Sequence, residues 1–255
     1  MGTYFADLRA GPDSQLGSAP CRMADSPEVE ALRQAESFED LLALAKALCF
    51  QLRYREALTV YDRAIALEPE NILGYRQRAP RYINTLQPEK AVKDLLKCRE
   101  LGGDEADLSY RLGIAQYLAG DFEAAMREEE ICYPLVDEEM GIAALYWHTM
   151  SALRLGTEPT LLRCYRPEMR VGHHTAYERV MALSSGSLPW EEMQTLLQEE
   201  PSDLEYSMLA YGSSVFCRSL GHEGEAETLL RSILPRDNFW ISYAYIAAWN
   251  DSYSL

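Results

Sequence analysis

A fixed spacing of 34 residues between small side chains constrains the fold of this chain more than any other feature of its sequence. Two series show this spacing, the second twelve residues ahead of the first: Ala57, Ala91 and Ala125, and Ala45, Ala79 and Gly113. Antiparallel helices pack closely where small side chains lie at their crossing. The spacing therefore predicts stacked helix hairpins.

The first copy of the pattern, residues 38–71, shows two helical runs. Apolar residues recur at helical spacing from Leu41 to Leu52 and again from Glu56 to Leu67. Ser37 and Asp40 resemble a capping box before the first run, and Pro69 follows the second. These signals predict one helix hairpin.

Two further copies follow, residues 72–105 and 106–139, and each departs from the first. Arg78 stands where the flanking copies have leucine, and Glu129 stands where the earlier copies have Tyr or Leu. Pro80 falls inside the first helix of the second copy, where a proline removes a hydrogen bond and costs about 3 kcal/mol. We expect a kink or a break at Pro80.

Over residues 38–139 the chain resembles the tetratricopeptide repeat (TPR) family. The first copy carries the residues of this resemblance: Ala45, Leu48, Tyr54, Ala57, Tyr61, Ala64 and Pro69. The resemblance implies an all-α fold, a right-handed α-α superhelix of antiparallel hairpins. It also implies a non-catalytic protein-protein interaction scaffold that binds a peptide or protein segment in a concave groove.

Beyond residue 139 the repeat pattern weakens but persists. Residues 141–155 predict an apolar helix ending at Gly156, further helices are expected near 175–183 and 189–199, and Ser214 with Ala226 restores the spacing of twelve. We therefore expect a TPR-like array over 26–156 and degenerate helical repeats with a C-terminal capping helix over 157–255. The Gly-, Pro- and Ser-rich start predicts a loose tail over 1–25, of which residues 1–22 are expected to be dispensable.

The groove is expected to be lined by the first helix of each hairpin, on the side opposite the small residues. The predicted binding residues are Leu42, Lys46, Phe50, Arg76, Ile83, Tyr110, Arg111 and Tyr117. The cations suit an acidic side chain or a free terminal carboxylate. Relatives that clamp chaperone C-termini use Asn and Lys residues, and the matching places here keep only part of that set: Leu42, Lys46, Gln77, Asp107 and Arg111. An alternative is that the C-terminal half fills the groove.

Charge and cysteine placement narrow the classes of partner and cofactor. The net charge of −16, from 40 acidic and 24 basic residues, repels nucleic-acid phosphates and favours association with a basic partner. The six cysteines lack paired close spacing, which favours reduced thiols over disulfides or a zinc site, and no metal or cofactor is expected. With no apolar run long enough to span a membrane, the expected location is cytoplasmic.

Two features leave alternatives open. Residues 163–179 concentrate Arg, Cys and His, so the chain could instead be an enzyme or a small-anion sensor. A metal site is disfavoured there, because the consecutive His173 and His174 would point about 100° apart on a helix and chelate one ion poorly. The segment 239–249 is apolar nearly all round. That segment either inserts between neighbouring helices or forms a homodimer with a second molecule.

Overall fold

A computed structural model describes residues 9–253, and every regular element in that range is helical. The predicted all-α fold class is confirmed. Two short 3₁₀ segments also occur, at Tyr133–Leu135 and Thr160–Cys164. The α-helices of the described range are α1 (Pro12–Gln15), α2 (Pro27–Ala31), α3 (Phe38–Phe50), α4 (Tyr54–Leu67), α5 (Ile72–Ile83), α6 (Pro88–Glu100), α7 (Glu105–Leu118), α8 (Phe122–Cys132), α9 (Glu138–Leu155), α10 (Thr175–Ser184), α11 (Trp190–Glu199), α12 (Asp203–Ser219), α13 (Glu223–Ile233) and α14 (Tyr243–Tyr253).

The chain divides into two compact units, Met1–Asp104 and Glu105–Leu255. We call them unit 1 and unit 2. The division falls between the second and third copies of the repeat, inside the predicted array 26–156. The boundary predicted at residue 156 stays a prediction.

Unit 1 contains two helix hairpins, α3 with α4 and α5 with α6. The small residues predicted at the crossings, Ala45 with Ala57 and Ala79 with Ala91, are fully buried. The Ser37 side chain accepts a hydrogen bond from the Asp40 amide at the start of α3. The capping and packing signals of the first copy therefore act as the sequence predicts.

The turns between paired helices repeat the same backbone conformation. Leu52, Leu86 and Gly120 are spaced by 34 residues, and all three have positive φ angles, 57°, 50° and 81°. This left-handed conformation favours glycine over residues with a Cβ atom. Its recurrence at two leucines shows that hairpin geometry, rather than local preference, sets the turn.

Unit 2 contains the hairpins α7 with α8 and α12 with α13, with α9 packed against α8 and α12. Helix α9 ends at Leu155, and Gly156 caps it with a left-handed φ of 67°, so the predicted helix end is confirmed. Helices α10 and α11 lie where the sequence places them. Ser214 and Ala226 are fully buried, as the resumed spacing requires.

The sequence predicts a kink or a break at Pro80; the break is wrong, because α5 runs unbroken from Ile72 to Ile83, and the kink stays a prediction. Pro80 lies in the last turn of the helix, and the Asn84 amide still donates to the Pro80 carbonyl at 2.9 Å. The neighbouring Ala79, Tyr82 and Ile83 are buried. Burial of these side chains holds the last turn helical despite the missing amide donor.

The described part of the predicted loose tail is packed against the first hairpin. The Ala10 amide donates to the Gln51 carbonyl at 2.8 Å. The Arg55 amide donates to Gln15 Oε1 at 3.0 Å, and Gln15 is 1% exposed. The prediction of a loose segment is therefore wrong for residues 9–17, whereas residues 18–22 are exposed, and residues 1–8 lie outside the described residues.

Arg78 has an acidic partner in place of the apolar contact of the flanking copies. It donates two hydrogen bonds to the Asp94 carboxylate, both at 2.7 Å, and one to Asp62 at 2.6 Å. Burial raises the pKa of Asp94, and the hydrogen bonds from Arg78 oppose that rise. The Arg78–Asp94 pair occupies the repeat positions that Leu44 and Val60 fill in the first copy.

Replacing Asp94 alone should destabilise unit 1. We expect Asp94→Val to cost about 3 kcal/mol, because it leaves the half-buried Arg78 guanidinium without its main partner. The double variant R78L/D94V recreates the Leu44–Val60 pair of the first copy and should recover most of the loss. Urea denaturation followed by circular dichroism measures both; equal stability of the single and double variants would contradict the pairing.

Deleting residues 1–22 should lower the melting temperature by several degrees, since the Ala10–Gln51 and Gln15–Arg55 contacts are lost. Thermal denaturation of the truncated chain measures the effect. The control is Arg22→Ala, which changes an exposed residue of the same segment. An unchanged melting temperature in the truncated chain would restore the expectation that this segment is dispensable.

Candidate functional site

In unit 1, the predicted groove residues on α3 and α5 are mostly accessible to solvent. Phe50 is 71% exposed, and Lys46 and Arg76 are also exposed. The Lys46 ammonium lies 6.0 Å from the centroid of the Phe50 ring, on the same face of α3. Leu42 is half-buried. This surface combines apolar area with positive charge, as the prediction requires.

A surface cavity of about 620 Å³ lies beside this face of α3. Its walls come from α3, from α2 and from the chain before α1. The lining residues are Arg9, Ser26, Glu28, Leu32, Ala43, Lys46, Ala47, Phe50 and Gln51. The volume falls in the range of sites that hold small ligands or side chains. We call this feature the α2–α3 cavity.

An ion-pair network anchors the residues preceding α2 to the first hairpin. Arg53, nearly buried, lies 2.8 Å from Asp25 and also pairs with Glu56. Arg33 contacts the same two carboxylates. Hydrogen bonds from Arg33 and Arg53 hold the pKa of Asp25 well below its usual range. The Ser26 hydroxyl then caps α2 by accepting from the Val29 amide, so the wall formed by α2 has a defined position.

Two of the predicted binding residues are not available to a partner. Ile83 is 0% exposed at the end of α5, and Tyr117 is 3% exposed. The Tyr117 and Tyr211 hydroxyls share a hydrogen bond of 2.7 Å. These two predictions are wrong, because neither side chain is accessible at the surface.

In unit 2, helix α14 lies against α7, the helix that carries Tyr110, Arg111 and Tyr117. The Asn250 amide side chain donates to the Leu118 carbonyl at 3.2 Å. Arg111 is half-buried and pairs with Asp107 at 2.8 Å. The structure therefore places the C-terminal helix over the α7 surface that the sequence analysis assigned to a partner.

Helix α14 inserts between neighbouring helices of unit 2. Asp251 accepts a hydrogen bond from the Tyr211 hydroxyl at 3.2 Å and pairs with Arg154. The residues buried along α14 are Ala244, Tyr245, Ile246, Ala247, Ala248 and Trp249. Of the two arrangements considered for this segment, insertion is the one observed. The apolar residues of α14 are therefore covered within unit 2, whereas Phe239, at the start of the segment proposed for a homodimer, is 48% exposed.

Unit 2 also buries a carboxyl group that has no hydrogen-bond partner. Glu129 on α8 is 0% exposed, and neither carboxyl oxygen is paired. It occupies space that Gly113 on α7 leaves open, since a Cβ atom at Gly113 would lie 2.2 Å from Glu129 Oε1. Burial, together with the neighbouring Glu128, raises the pKa of Glu129 well above its ordinary value. Folding therefore favours the protonated form of this side chain.

The Arg- and His-containing segment 163–179 lies against carboxylates. Arg166 pairs with Glu138 at 2.8 Å, and the Arg170 amide donates to the same carboxylate at 3.0 Å. His173 is 89% exposed and lies 3.1 Å from Glu139. Across residues 9–253, no group of three or more His, Cys, Asp or Glu side chains is placed to hold a metal ion.

The α2–α3 cavity is the main feature that the sequence analysis missed. Its lining brings Arg9, Ser26, Glu28 and Leu32 to a helix of the first repeat, and no periodicity links those positions to α3. The Ser26–Pro27 pair, which starts α2, is the only sequence signal for an element there.

None of the helices in the described range is both long and apolar enough to cross a membrane.

Similarity to known proteins agrees with the repeat geometry. Mouse tetratricopeptide repeat protein 28 is 32% identical over 100 residues, which cover 39% of this chain and 4% of that protein. Drosophila melanogaster Hsc70-interacting protein 1 is 31% identical over 107 residues, 42% of this chain and 28% of that protein. The chain contains tetratricopeptide repeats.

The matched regions cover only part of this chain and only part of each relative. The Schizosaccharomyces pombe heat shock protein sti1 homolog is 33% identical over 87 residues, 34% of this TPR chain and 15% of that protein. The matches thus span less than a third of the length of each of these relatives. No family model matches the chain. The crystal structure of YrrB, titled a TPR protein with an unusual peptide-binding site, is similar with 16% identity and a TM-score of 0.46, covering 90% of this chain and 99% of that one.

The buried carboxyl group makes the stability of unit 2 depend on pH. In the unfolded chain Glu129 ionises near its ordinary pKa of 4.5, whereas its folded pKa is raised. Between those values the native state binds more protons, so stability should fall as the pH rises. Glu129→Leu should remove this contribution and stabilise the protein at pH 7 by at least about 1 kcal/mol.

Urea denaturation at several pH values between 5 and 9 measures this dependence. Glu123→Leu is the matched control, because Glu123 lies on the same helix with an exposed side chain. A pH dependence that is equal in the parent protein and the Glu129→Leu variant would contradict the assignment to Glu129.

Proposed function

We propose that this TPR chain is a non-catalytic interaction scaffold whose unit 1 binds a segment of a partner protein. The binding surface is the exposed face of α3 and α5 that carries Lys46, Phe50 and Arg76. The observation that supports this most directly is the exposure of Phe50, since a large aromatic side chain that is 71% exposed beside cations is typical of a contact surface. One of the relatives is named for its interaction with Hsc70.

The packing within unit 2 favours a binding surface that lies in unit 1 alone. The α7 face that carries Tyr110 and Arg111 lies against α14, and Tyr117 is buried. A partner would have to displace a helix whose apolar residues are almost completely buried. The α3 and α5 face needs no such displacement.

The local charge favours a partner segment that carries a carboxylate. Lys46 and Arg76 provide positive charge on an otherwise acidic chain. A side-chain or terminal carboxylate can accept hydrogen bonds from both kinds of cation. The net charge of −16 would at the same time speed encounters with a partner that is basic elsewhere on its surface. The alternative of an enzyme or anion sensor gains no support from segment 163–179, where Arg166 and Arg179 contact carboxylates.

Reversing the charge of the binding face should release the partner. A photo-crosslinking amino acid, p-benzoylphenylalanine, replaces Phe50 in the full chain, and crosslinked partner peptides are identified by mass spectrometry. Adding Lys46→Glu and Arg76→Glu should reduce recovery of crosslinked peptides at least about fivefold.

Lys93→Glu is the matched control, because Lys93 is an exposed lysine of unit 1 on α6, outside this face. It should leave the crosslinks unchanged. Crosslinks that persist in the double variant, or that decrease equally in the control, would count against the proposed face.

A further inference from the structure

We infer that the α2–α3 cavity is an anchor pocket for one aromatic side chain of a partner, with a carboxylate next to that side chain. This inference rests on the proposed function of unit 1 and names the chemistry of one contact. The cavity lies at the edge of the binding face, and four of its lining residues come from outside the repeats: Arg9, Ser26, Glu28 and Leu32. It is therefore a feature of this chain rather than of the repeat pattern.

The interior of the cavity is apolar and has room for a ring. Ala43, Ala47 and Phe50 lie on one face of α3, at spacings of four and three residues, and Leu32, at the end of α2, also lines the cavity. The two alanines leave space that larger residues would fill. A volume of about 620 Å³ exceeds what a single aromatic side chain requires. An aromatic ring seated here would also bury part of the exposed Phe50 side chain.

The rim of the cavity carries two cations and one carboxylate: Arg9, Lys46 and Glu28. Within residues 9–253, neither Arg9 nor Lys46 forms an ion pair. An anionic group on the ligand would neutralise this local excess of positive charge, whereas a cationic ligand would be repelled by it. The charge at the rim therefore selects an acidic neighbour for the inserted ring.

The walls of the cavity are held before any ligand arrives. The Ala10 amide, next to Arg9, donates to the Gln51 carbonyl at 2.8 Å. The Gln51 side chain donates to the Ala24 carbonyl at 3.2 Å, and Arg53 donates to the same carbonyl at 3.3 Å. These bonds join α3 to the chain on both sides of the cavity. A ligand would lose less free energy to ordering of the site than it would in an unformed pocket.

Small probes can test the pocket without a protein partner. N-acetyltryptophan carries the ring and the carboxylate, N-acetyltryptophanamide lacks the charge, and N-acetylalanine lacks the ring. The full chain, with labelled Ala and Leu methyl groups, is titrated with each probe by NMR. N-acetyltryptophan should shift the methyl signals of Leu32, Ala43 and Ala47 and bind about two- to fivefold more tightly than its amide. N-acetylalanine should produce no such shifts.

Two variants assign the contacts. Lys46→Glu should weaken N-acetyltryptophan binding to at most the level of the amide, and Lys93→Glu should leave it unchanged. Ala47→Leu, which fills the cavity, should weaken both tryptophan probes by at least about tenfold, because it removes space for the ring. Circular dichroism shows which variants retain their fold, and if Ala47→Leu unfolds, Lys46→Glu decides.

Methyl shifts that are absent, or that map away from these three residues, would overturn the inference. Equal affinity for the acid and the amide would overturn its carboxylate part and so the inference as stated.

Arg76→Glu separates this inference from the proposed function, since Arg76 does not line the cavity. Probe binding that survives while partner crosslinks are not observed would reject the proposed function alone, and the reverse result would reject the pocket alone.

Discussion

Close approach of two helices at small side chains is the interaction on which the rest of this structure depends. Ala45 and Ala57 are completely buried in the first hairpin, and Ala79 and Ala91 repeat the arrangement in the second. Where helices are this close, the side chains on either side of the crossing have fixed neighbours, so burial and exposure follow from position in the repeat. The exposed face of α3, with Lys46 and Phe50, exists because the opposite face is used for packing.

The same constraint explains how the repeats tolerate polar residues. Arg78 and Asp94 replace an apolar pair of the first copy, and they do so as partners joined by two hydrogen bonds. Glu129 replaces a large apolar residue without a partner, and the glycine at position 113 supplies the space that it occupies. The charge of Arg78 is compensated by Asp94, whereas Glu129 is accommodated only by the space left at Gly113. Burial of Glu129 therefore couples folding to protonation.

The candidate site could be predicted only in part. Repeat position correctly indicated that Lys46, Phe50 and Arg76 lie at the surface, because a helix face opposite a packed crossing is exposed wherever nothing else covers it. Ile83 and Tyr117 were assigned to the same surface but are buried, and the residues around Tyr117 come from helices distant along the chain, such as Tyr211 on α12. The α2–α3 cavity was missed for the same reason. Its walls come from residues before the repeats, and their docking through Gln15, Gln51 and Arg55 has no periodic signal.

The sequence by itself determined the helices, their pairing into hairpins, and many of their ends, because helical periodicity, small-residue spacing and caps such as Ser37 and Gly156 act over a few residues. Only the tertiary structure decided that α5 continues through Pro80, that Leu52 and Leu86 adopt left-handed turns, and that α14 inserts within unit 2. At Pro80 and at the two leucines, packing between segments outweighs a local preference of about 1–3 kcal/mol, whereas for α14 the sequence left two arrangements open. A sequence pattern records such preferences, whereas the packing that overrides them depends on residues distant along the chain.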